Sequence, residues 1–496
     1  MISPAPRPGD EPVLIQGGMG VAVSSWPLAR AVGSRGHLGV VSGTALDVVL
    51  ARRLQAGDPG GHLRRALDAF PDRAVAAEVL ARFFVPGGRT AQAAFTNVPM
   101  FAAQPAPWLH ALATVAGFAE VFLAKDGHDG PVGINFLEKV QLPTPAILYG
   151  ALLAGVDYLL VGAGIPRDFP DLLDSLTQHE AARLPLHVTG AMAGDDFATW
   201  FDPARILDTT GLVPLGRPRF LAIVSSATLA VSLSRHGGRV DGFVVEGPTA
   251  GGHNAPPRGA MKLNAAGEPT YGARDAVDLA RMREIGLPFW LAGACATPQG
   301  IGEAQQQGAA GIQVGTLFAF CDESGMAPAL REEVLAQVRS GAARVVTDPL
   351  ASPTGFPFKV VQVNATLSDP GVYAARERRC DLGYLREMYR RDDGSIGYRC
   401  PGEPVDDYLR KGGQVEDTVG RKCVCNGLLA TVGLGQQRGD GVEPAIVTAG
   451  AALADLALLL RDRDRYSAAD VVEYLTADVP DLADAHIAPA LAEACV

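Results

Sequence analysis

The chain has 496 residues, of which 48% are hydrophobic and 20% are charged, and its formal net charge is −11. This length suits one large α/β barrel with additions or two to three ordinary domains, and the apolar content allows a large core without disulfides or metals. The acidic balance and the scattered basic residues argue against nucleic acid as a partner, because such a partner needs a clustered basic face.

Neither end of the sequence predicts a membrane protein. The opening residues, MISPAPRPGDEP, lack the basic and apolar regions of a signal peptide. The apolar tract 446–460 contains Asp455 and is too short to span a bilayer. We therefore expect a soluble, cytoplasmic protein without a membrane partner, in which the seven cysteines have core, metal or catalytic roles rather than forming disulfides.

Short apolar, β-rich runs recur along the chain, and each usually ends near glycine and precedes a helix-like stretch. Continuous apolar runs are typical of parallel strands that are covered on both faces. Eight such runs predict an α/β fold with a closed (β/α)8 TIM barrel, although an open doubly wound sheet has the same local pattern. The predicted strands are 13–16, 38–42, 132–136, 158–162, 220–225, 242–246, 289–293 and 311–315.

Three stretches do not fit a minimal barrel. Residues 185–189 form a ninth apolar run, which we interpret as part of an excursion to about residue 217. Residues 44–130, rich in Ala and Phe, predict a helical, lid-like insertion. The barrel pattern stops at 352, so residues 1–43 and 131–351 are predicted to form the barrel, and residues 352–496 a C-terminal extension that contains a cysteine cluster and ends in a helical stretch from about 445.

Glycine turns follow the strands at the end of the barrel where active sites lie. The sequence QGGMG at 16–20 lets a flat ring approach the backbone closely, although a simple glycine-rich turn would have the same composition. Gly293–Ala294 and Gly315–Thr316 end the last two strands and precede predicted helices. Backbone N–H groups at this place form a phosphate cradle in many barrels.

The motif EGPTAGGHN at 246–254 ends another predicted strand and contains His253. Core packing explains a histidine on a flexible glycine loop poorly, whereas imidazole titrates near neutrality and can take a proton from an acidified carbon. A loop histidine without a task is the alternative reading. His128, in KDGHDG, is the second choice for the acid/base, and His62 and His236 are interpreted as structural because neither follows a predicted strand.

Cys380, Cys400, Cys423 and Cys425 lie within 46 residues, while the first 294 residues contain no cysteine. Their spacing is neither that of a ferredoxin nor that of a zinc ribbon. Four thiolates suit a [4Fe–4S] cluster or zinc, and buried small hydrophobic residues are the alternative. The other three cysteines are interpreted as structural: Cys295, Cys321 and Cys495.

Taken together, these motifs resemble the nitronate monooxygenase superfamily of FMN enzymes over roughly residues 12–360. The matching segments are IQGGMG (15–20), VGINFLEK (132–139), EGPTAGGHNAPPRG (246–259), LAGACATP (291–298) and GIQVGTLFAF (311–320). The resemblance implies a barrel with non-covalent FMN and His253 as the catalytic base. Thr249 departs from the family, because many nitronate monooxygenases have an acidic residue there.

The resemblance also implies which residues bind each part of the cofactor. The phosphate would be held by Gly293, Ala294, Gly315 and Thr316. The flavin ring would be lined by Gly17, Gly18, Met19 and Asn135. We add four neighbours to the predicted FMN site: Gly162, Gly251, Gly252 and Gln313.

Within the superfamily, VFLAKDGHDGPVGINFLEKVQ at 121–141 and the cysteine-bearing extension look like a bacterial branch of acyl-carrier-protein dehydrogenase/isomerases that make unsaturated fatty acids. The segment SPTGFPFKV at 352–360 also looks like the enoyl reductases of polyunsaturated-fatty-acid synthases. The branch implies an acyl thioester substrate on acyl-carrier protein or coenzyme A, and a [4Fe–4S] cluster on the four clustered cysteines. A homodimer is left open.

Three other functions stay open at this point. A nitronate monooxygenase would use the same base on a nitro-activated carbon with oxygen, and an enoyl-thioester reductase would run the reaction in the opposite direction. A non-enzymatic flavoprotein that uses the barrel as a scaffold is the third.

Overall fold

The computed structural model describes residues 11–236, 238–439, 441–461 and 463–477. Eight parallel strands close into a barrel, and their order around it follows the chain. The last strand pairs with the first, with Gln16 opposite Val314, so the open-sheet alternative is wrong and the predicted TIM barrel is confirmed. The strands are β1 (Leu14–Gln16), β2 (Leu38–Ser42), β3 (Val132–Leu137), β4 (Tyr158–Gly162), β5 (Arg219–Val224), β6 (Gly242–Glu246), β7 (Phe289–Ala292) and β8 (Gly311–Val314).

Apolar side chains from successive strands fill the barrel interior, which explains the continuous hydrophobic runs in the sequence. Trp290 is fully buried there, and its indole N–H donates to the carbonyl of Pro12 at 2.6 Å. Gln16 is the polar exception: its amide donates to Ser24 Oγ at 2.8 Å, and its Oε1 accepts from the N–H of Val40 at 3.0 Å. The interior core comprises Ile15, Leu38, Val40, Tyr158, Leu160, Leu221, Val244, Trp290 and Ala292.

Helices cover the outside of the barrel, and several begin with proline in the first turn, where its missing N–H costs nothing. The helices are α1 (Trp26–Gly33), α2 (Leu46–Gln55), α3 (His62–Asp68), α4 (Arg73–Phe83), α5 (Pro107–Ala124), α6 (Thr144–Leu153), α7 (Phe169–Thr177), α8 (Ala227–His236), α9 (Leu279–Glu284), α10 (Gly300–Gln306), α11 (Thr316–Ala319), α12 (Pro328–Ser340), α13 (Pro370–Ala375), α14 (Val405–Arg410), α15 (Val424–Thr431), α16 (Leu456–Leu460) and α17 (Ala468–Thr476).

Helix α5 is the one described helix that is long and apolar enough to cross a membrane by length and composition, and 72% of it is buried inside the protein. It packs against α6 through two glycines that bring the backbones together. A Cβ on Gly117 would lie 2.1 Å from the carbonyl oxygen of Ile147, and one on Gly150 would lie 1.9 Å from that of Thr114. The apolar surface of α5 is therefore explained by this close helix pair.

The four helices α2–α5 lie between β2 and β3. Their buried side chains belong to the same hydrophobic core as those of the barrel and of residues 352–477. The division of the chain into barrel, insertion and extension stays a prediction, because one continuous core joins the three parts.

The ninth apolar run lies outside the barrel and divides into two short strands. Ala182–Pro185 pairs with Ala198–Phe201. Val188–Thr189 instead pairs with Glu387–Arg390 of the extension, which in turn pairs with Ile396–Arg399. The remaining small sheets pair Val345–Asp348 with Phe358–Val361 and Gln437–Arg438 with Gly441–Val442.

We predict that Gly117→Ala destabilises the protein by about 1–3 kcal/mol, because the added methyl group overlaps the backbone of α6. Gly302→Ala is the matched control: Gly302 also lies inside a helix, but a Cβ there meets nothing within 4 Å, so the substitution should be neutral or slightly stabilising. Urea unfolding of both variants measures the difference. Equal stabilities would contradict the close helix contact.

Candidate active site

A large cavity opens at the carboxyl ends of the barrel strands. Its volume is about 1760 Å³ when the open solvent at its mouth is included. All predicted cofactor residues and the predicted base line it: Gly17, Gly18, Met19, Asn135, Gly162, Gly251, Gly252, His253, Gly293, Ala294, Gln313, Gly315 and Thr316. The structure thus brings these residues to one place, and their individual binding roles stay predictions.

The glycines of the first turn keep one wall of the cavity flat. A Cβ on Gly18 would lie 2.1 Å from Asn135 Oδ1, so the asparagine side chain occupies the space that any larger residue would need. Asn135 Oδ1 and Gln313 Oε1 are buried, and neither has a hydrogen-bond partner among the described residues. Unpaired buried acceptors beside a side-chain-free wall suit a flat heterocycle that has N–H groups.

Two turns, after β7 and β8, form the part of the wall next to the first turn. Gly293 and the following Ala294 both have positive φ, +95° and +55°, which turns the chain sharply after β7. A Cβ on Gly293 would lie 2.6 Å from Thr249 Oγ1. Both the positive φ and the lack of space therefore require glycine at this position. Gly315 precedes the short helix α11, whose first residue is Thr316.

The extension closes over these turns. Thr316 Oγ1 accepts a hydrogen bond from the N–H of Gly450 at 2.8 Å, which leaves the hydroxyl hydrogen of Thr316 for another acceptor. Thr448 Oγ1 accepts from the N–H of Gly252 at 3.0 Å, and the carbonyl of Thr249 accepts from the N–H of Ala451 at 2.9 Å. The segment 448–451 is therefore part of the cavity, and sequence reasoning missed it.

His253 is held by residues of the extension. Its backbone forms a β-bridge with Phe358, and its ring meets the Phe358 ring edge-to-face at a centroid distance of 4.8 Å. Its Nε2 is 2.7 Å from Ser352 Oγ. Burial, and then the nearby positive charge of Lys139, lower the pKa of His253 to about 3, so the imidazole is neutral at physiological pH.

Two further ionisable side chains have shifted pKa values: Glu246 in the cavity wall and Lys139, whose charge acts on His253. Glu246, the last residue of β6, lines the cavity, and burial raises its pKa to about 7. Burial lowers the pKa of Lys139 to about 8, partly offset by the negative charge of Glu138. Glu246 lies in the same motif as His253, but the sequence analysis did not select it because a carboxylate at a strand end has many structural explanations.

The four clustered cysteines converge on a small cavity behind the main one. Leu385, Val424 and Cys425 line both cavities and so form a common wall. A hydrogen bond from Cys400 lowers the pKa of the Cys380 thiol. Nevertheless, no group of three or more His, Cys, Asp or Glu side chains within the described residues has the arrangement of a metal site, so the iron–sulfur assignment stays a prediction.

The other histidines and cysteines have mostly structural environments. His128 Nε2 is 2.8 Å from the carbonyl of Ala124 at the end of α5, and its residue precedes β3, at the opposite end of the barrel. Cys321 is fully buried. Cys295 differs from expectation because it lines the main cavity, and Cys495 lies outside the described residues.

Tyr384 is another cavity residue that the sequence did not reveal. Its hydroxyl donates to Asp47 Oδ1 at 2.7 Å. Burial raises the pKa of Asp47 to about 6. The two residues are 337 positions apart, and no local pattern connects them.

The residues present fit FMN. Gly17 and Gly18 leave room for the ring, while Asn135 and Gln313 supply unpaired acceptors. The turns at Gly293–Ala294 and Gly315–Thr316 supply backbone N–H groups and a hydroxyl for the phosphate.

Comparison with known proteins agrees with this site. The nitronate monooxygenase family model matches residues 219–348, which contain β5–β8, the histidine motif and both presumed phosphate turns. No curated protein matches the sequence significantly. Residues 219–348, which form the second half of the barrel, are therefore similar to the nitronate monooxygenase family.

Solved structures with related folds include three enzymes. FabK from Thermotoga maritima has 16% identity and a TM-score of 0.46, over 94% of this chain and 91% of that chain. Nitroalkane oxidase from Streptomyces ansochromogenes has 16% identity and a TM-score of 0.43, over 97% and 96%. The enoyl reductase domain of MlnA from Bacillus amyloliquefaciens has 12% identity and a TM-score of 0.44, over 94% and 93%. These similarities are too low to select one activity.

The raised pKa of Glu246 predicts a pH-dependent stability. A carboxyl group whose folded pKa is raised contributes stability below its unfolded pKa, and this contribution is lost as the pH rises through about 7. We expect Glu246→Gln to remove this loss, so that the variant gains about 1–3 kcal/mol over the wild type between pH 5 and pH 8. Urea unfolding of the wild type and of Glu246→Gln at both pH values measures this difference in stability. The control is Glu303→Gln on the exposed side of α10, and a parallel pH dependence of wild type and Glu246→Gln would contradict the prediction.

Proposed function

We propose that this protein dehydrogenates or isomerises an acyl thioester, with FMN as its redox cofactor and His253 as the general base. The observation that carries the proposal is the chemical character of the large cavity beside His253. Its wall includes apolar side chains on several sides, such as Leu137, Ile223 and Leu428. An acyl chain needs such a wall, because its binding depends on removing apolar surface from water.

The charges around the cavity favour a neutral substrate over an anion. Within the described residues, no lysine or arginine side chain lines the cavity, whereas Glu246 does. A nitronate is a small anion, and no cation among the described lining residues would bind it. Lys139, whose charge acts on His253, does not line the cavity, and Glu246 is partly protonated near neutral pH. Thr249, which stands where many nitronate monooxygenases have an acidic residue, also separates this chain from that activity.

The proposed chemistry assigns a task to each side chain. Neutral His253 takes the proton from the carbon next to the thioester carbonyl, since burial keeps its imidazole unprotonated. FMN, when bound, supplies the acceptor for the hydride from the neighbouring carbon. In an isomerase reaction, His253 returns the proton to a different carbon and the double bond shifts. The apolar wall excludes water from the acidified carbon.

The proposal includes a [4Fe–4S] cluster on Cys380, Cys400, Cys423 and Cys425. Its support is the convergence of these four thiols on one small cavity that shares a wall with the main cavity. Thiolate ligands would be required, and four of them match the ligand number of such a cluster. A cluster at this wall would lie close enough to the flavin site to exchange electrons with it or to tune its potential.

Acyl-carrier protein or coenzyme A would carry the substrate, because both present an acyl chain as a thioester. The enoyl-thioester reductase is the second candidate, since the same base and cavity serve the reverse direction. NADPH oxidation with an enoyl-coenzyme A separates the reductase, and oxygen consumption with an alkyl nitronate separates the monooxygenase. Dehydrogenation of octanoyl-coenzyme A under anaerobic conditions supports our proposal, and inertness to it, combined with nitronate oxidation, would overturn it.

We predict that His253→Ala retains bound flavin but lowers turnover of octanoyl-coenzyme A by about two to four powers of ten, the usual effect of losing a general base. The matched control is His236→Ala, which removes an exposed histidine at the end of α8. Flavin absorbance and steady-state turnover are measured on both variants. Wild-type activity in His253→Ala would remove the histidine from the mechanism.

We also predict that Cys423→Ser/Cys425→Ser protein, purified without oxygen, loses iron, labile sulfide and a broad absorbance that dithionite bleaches. Cys321→Ala is the control, because this cysteine is buried away from the cluster cavity. Iron and sulfide assays measure the effect. Absence of iron in the wild type, or zinc without sulfide, would refute the iron–sulfur assignment.

A further inference from the structure

A chain of hydroxyl groups leads away from the presumed base. His253 Nε2 is 2.7 Å from Ser352 Oγ, and Ser352 Oγ is 2.8 Å from Thr354 Oγ1. Ser352 is fully buried, whereas His253 and Thr354 are both partly exposed. His253 lines the cavity and Thr354 does not, so the chain runs from the cavity through the buried serine to a partly exposed hydroxyl outside the cavity.

The serine is held firmly. Arg421 Nη1 donates to the carbonyls of Ser352 at 2.7 Å and Leu350 at 2.9 Å. The N–H of Ala351 donates to Asp348 Oδ1 at 3.0 Å. These bonds fix the backbone that presents the Ser352 hydroxyl, and the contacts of its Oγ with His253 and Thr354 hold the side chain.

The backbone of the histidine is fixed against the same part of the extension. The N–H of Asn254 donates to the carbonyl of Pro357, and the N–H of Lys359 donates to the carbonyl of Gly252, both at 2.9 Å. His253 and Ser352 thus belong to two backbone segments that are braced against each other. The contact between their side chains is a built feature rather than a chance approach of two mobile groups.

We propose that Ser352 and Thr354 form a hydroxyl relay that orients the His253 imidazole and conducts the proton that it accepts towards solvent. The inference deepens the proposed function and rests on it. Because Nε2 faces Ser352, Nδ1 is the ring nitrogen left for the substrate. Ser352 is a positioning residue here, since it acts through the histidine.

The proton balance closes without an imidazolium ion. As Nδ1 gains the proton from the substrate carbon, Nε2–H passes its proton to Ser352 Oγ, Ser352 passes its own to Thr354 Oγ1, and Thr354 releases one to water. The histidine ends neutral, in the other tautomer, and its Nε2 now accepts a hydrogen bond from Ser352. Burial and Lys139 disfavour a charged His253. Proton transfer along the relay therefore has a lower free energy than formation of an imidazolium ion.

The relay also bears on the choice between dehydrogenation and isomerisation. A base connected to solvent loses the substrate proton, as a net dehydrogenation requires. A base isolated from solvent retains the proton and returns it to the substrate, as an isomerase does. Interrupting the relay at Thr354 should therefore shift the outcome towards return of the original proton.

The test uses the flavin-loaded protein with four variants: Ser352→Ala, Ser352→Thr, Thr354→Val and Ser368→Ala. Ser368→Ala is the matched control, because it breaks the hydrogen bond between two other hydroxyls of the extension, those of Thr366 and Ser368, which are 2.9 Å apart. The first readout needs no substrate: ¹⁵N NMR of histidine-labelled protein, with His253→Ala identifying the signal. The second is deuterium uptake from D₂O into the α-carbon of octanoyl-coenzyme A.

We expect Ser352→Ala to move the Nε2 resonance of His253 and to lower kcat about tenfold with little change in KM, the rate equivalent of one hydrogen bond. Ser352→Thr should restore both. Thr354→Val should leave the resonance in place but slow deuterium uptake several-fold, which a merely structural role would not do. The control should match the wild type.

If the wild type turns over the thioester, two results would overturn the inference: an unchanged His253 resonance in Ser352→Ala, or undiminished deuterium uptake in Thr354→Val. If the wild type neither turns over nor exchanges the thioester, the proposed substrate is wrong, and the relay to solvent is overturned with it. The NMR comparison still decides separately whether Ser352 orients His253.

Discussion

The short backbone pairing between residues 252–254 and 357–359 is the constraint on which the site depends. The glycines before His253 would leave its side chain free to take many orientations. The two hydrogen bonds of this pairing, together with the edge-to-face contact with Phe358, remove that freedom. The loop at the end of β6 is thereby fixed, and it holds one imidazole in a defined orientation at the cavity.

The pairing also explains why the barrel and the extension share one core. A barrel alone would leave the apolar cavity wall open to water on the side of residues 448–451 and Tyr384. The extension covers it through hydrogen bonds to Thr316 and Gly252. Burial keeps His253 neutral and Glu246 partly protonated. The protonation states of the site are thus consequences of how the extension docks.

Much of the barrel follows from local pattern. All eight strands were predicted from continuous apolar runs, because each strand is buried on both faces and so carries the signal in its own residues. The glycine turns and His253 were found for a related reason: in a TIM barrel every residue that directly follows a strand lies at the same end. Their joint location at one cavity needed no knowledge of distant contacts.

The rest of the site could not be read in this way. Ser352 is 99 residues from His253, and Gly450 is 134 residues from Thr316, so only tertiary packing brings them together. Residues 185–189 were interpreted as part of an excursion from the barrel, and they lie outside it, but the pairing of Val188–Thr189 with the extension could not be predicted from their apolar pattern. An apolar sequence pattern indicates that a strand is buried, but it does not indicate which other strand pairs with it.

The hydrogen bonds from segment 448–451 to Thr249, Gly252 and Thr316 have a consequence for biosynthesis. The ribosome makes this segment roughly two hundred residues after the histidine motif, and a nascent domain begins to fold before its chain is complete. The newly made barrel therefore presents an open apolar mouth until its last wall is translated.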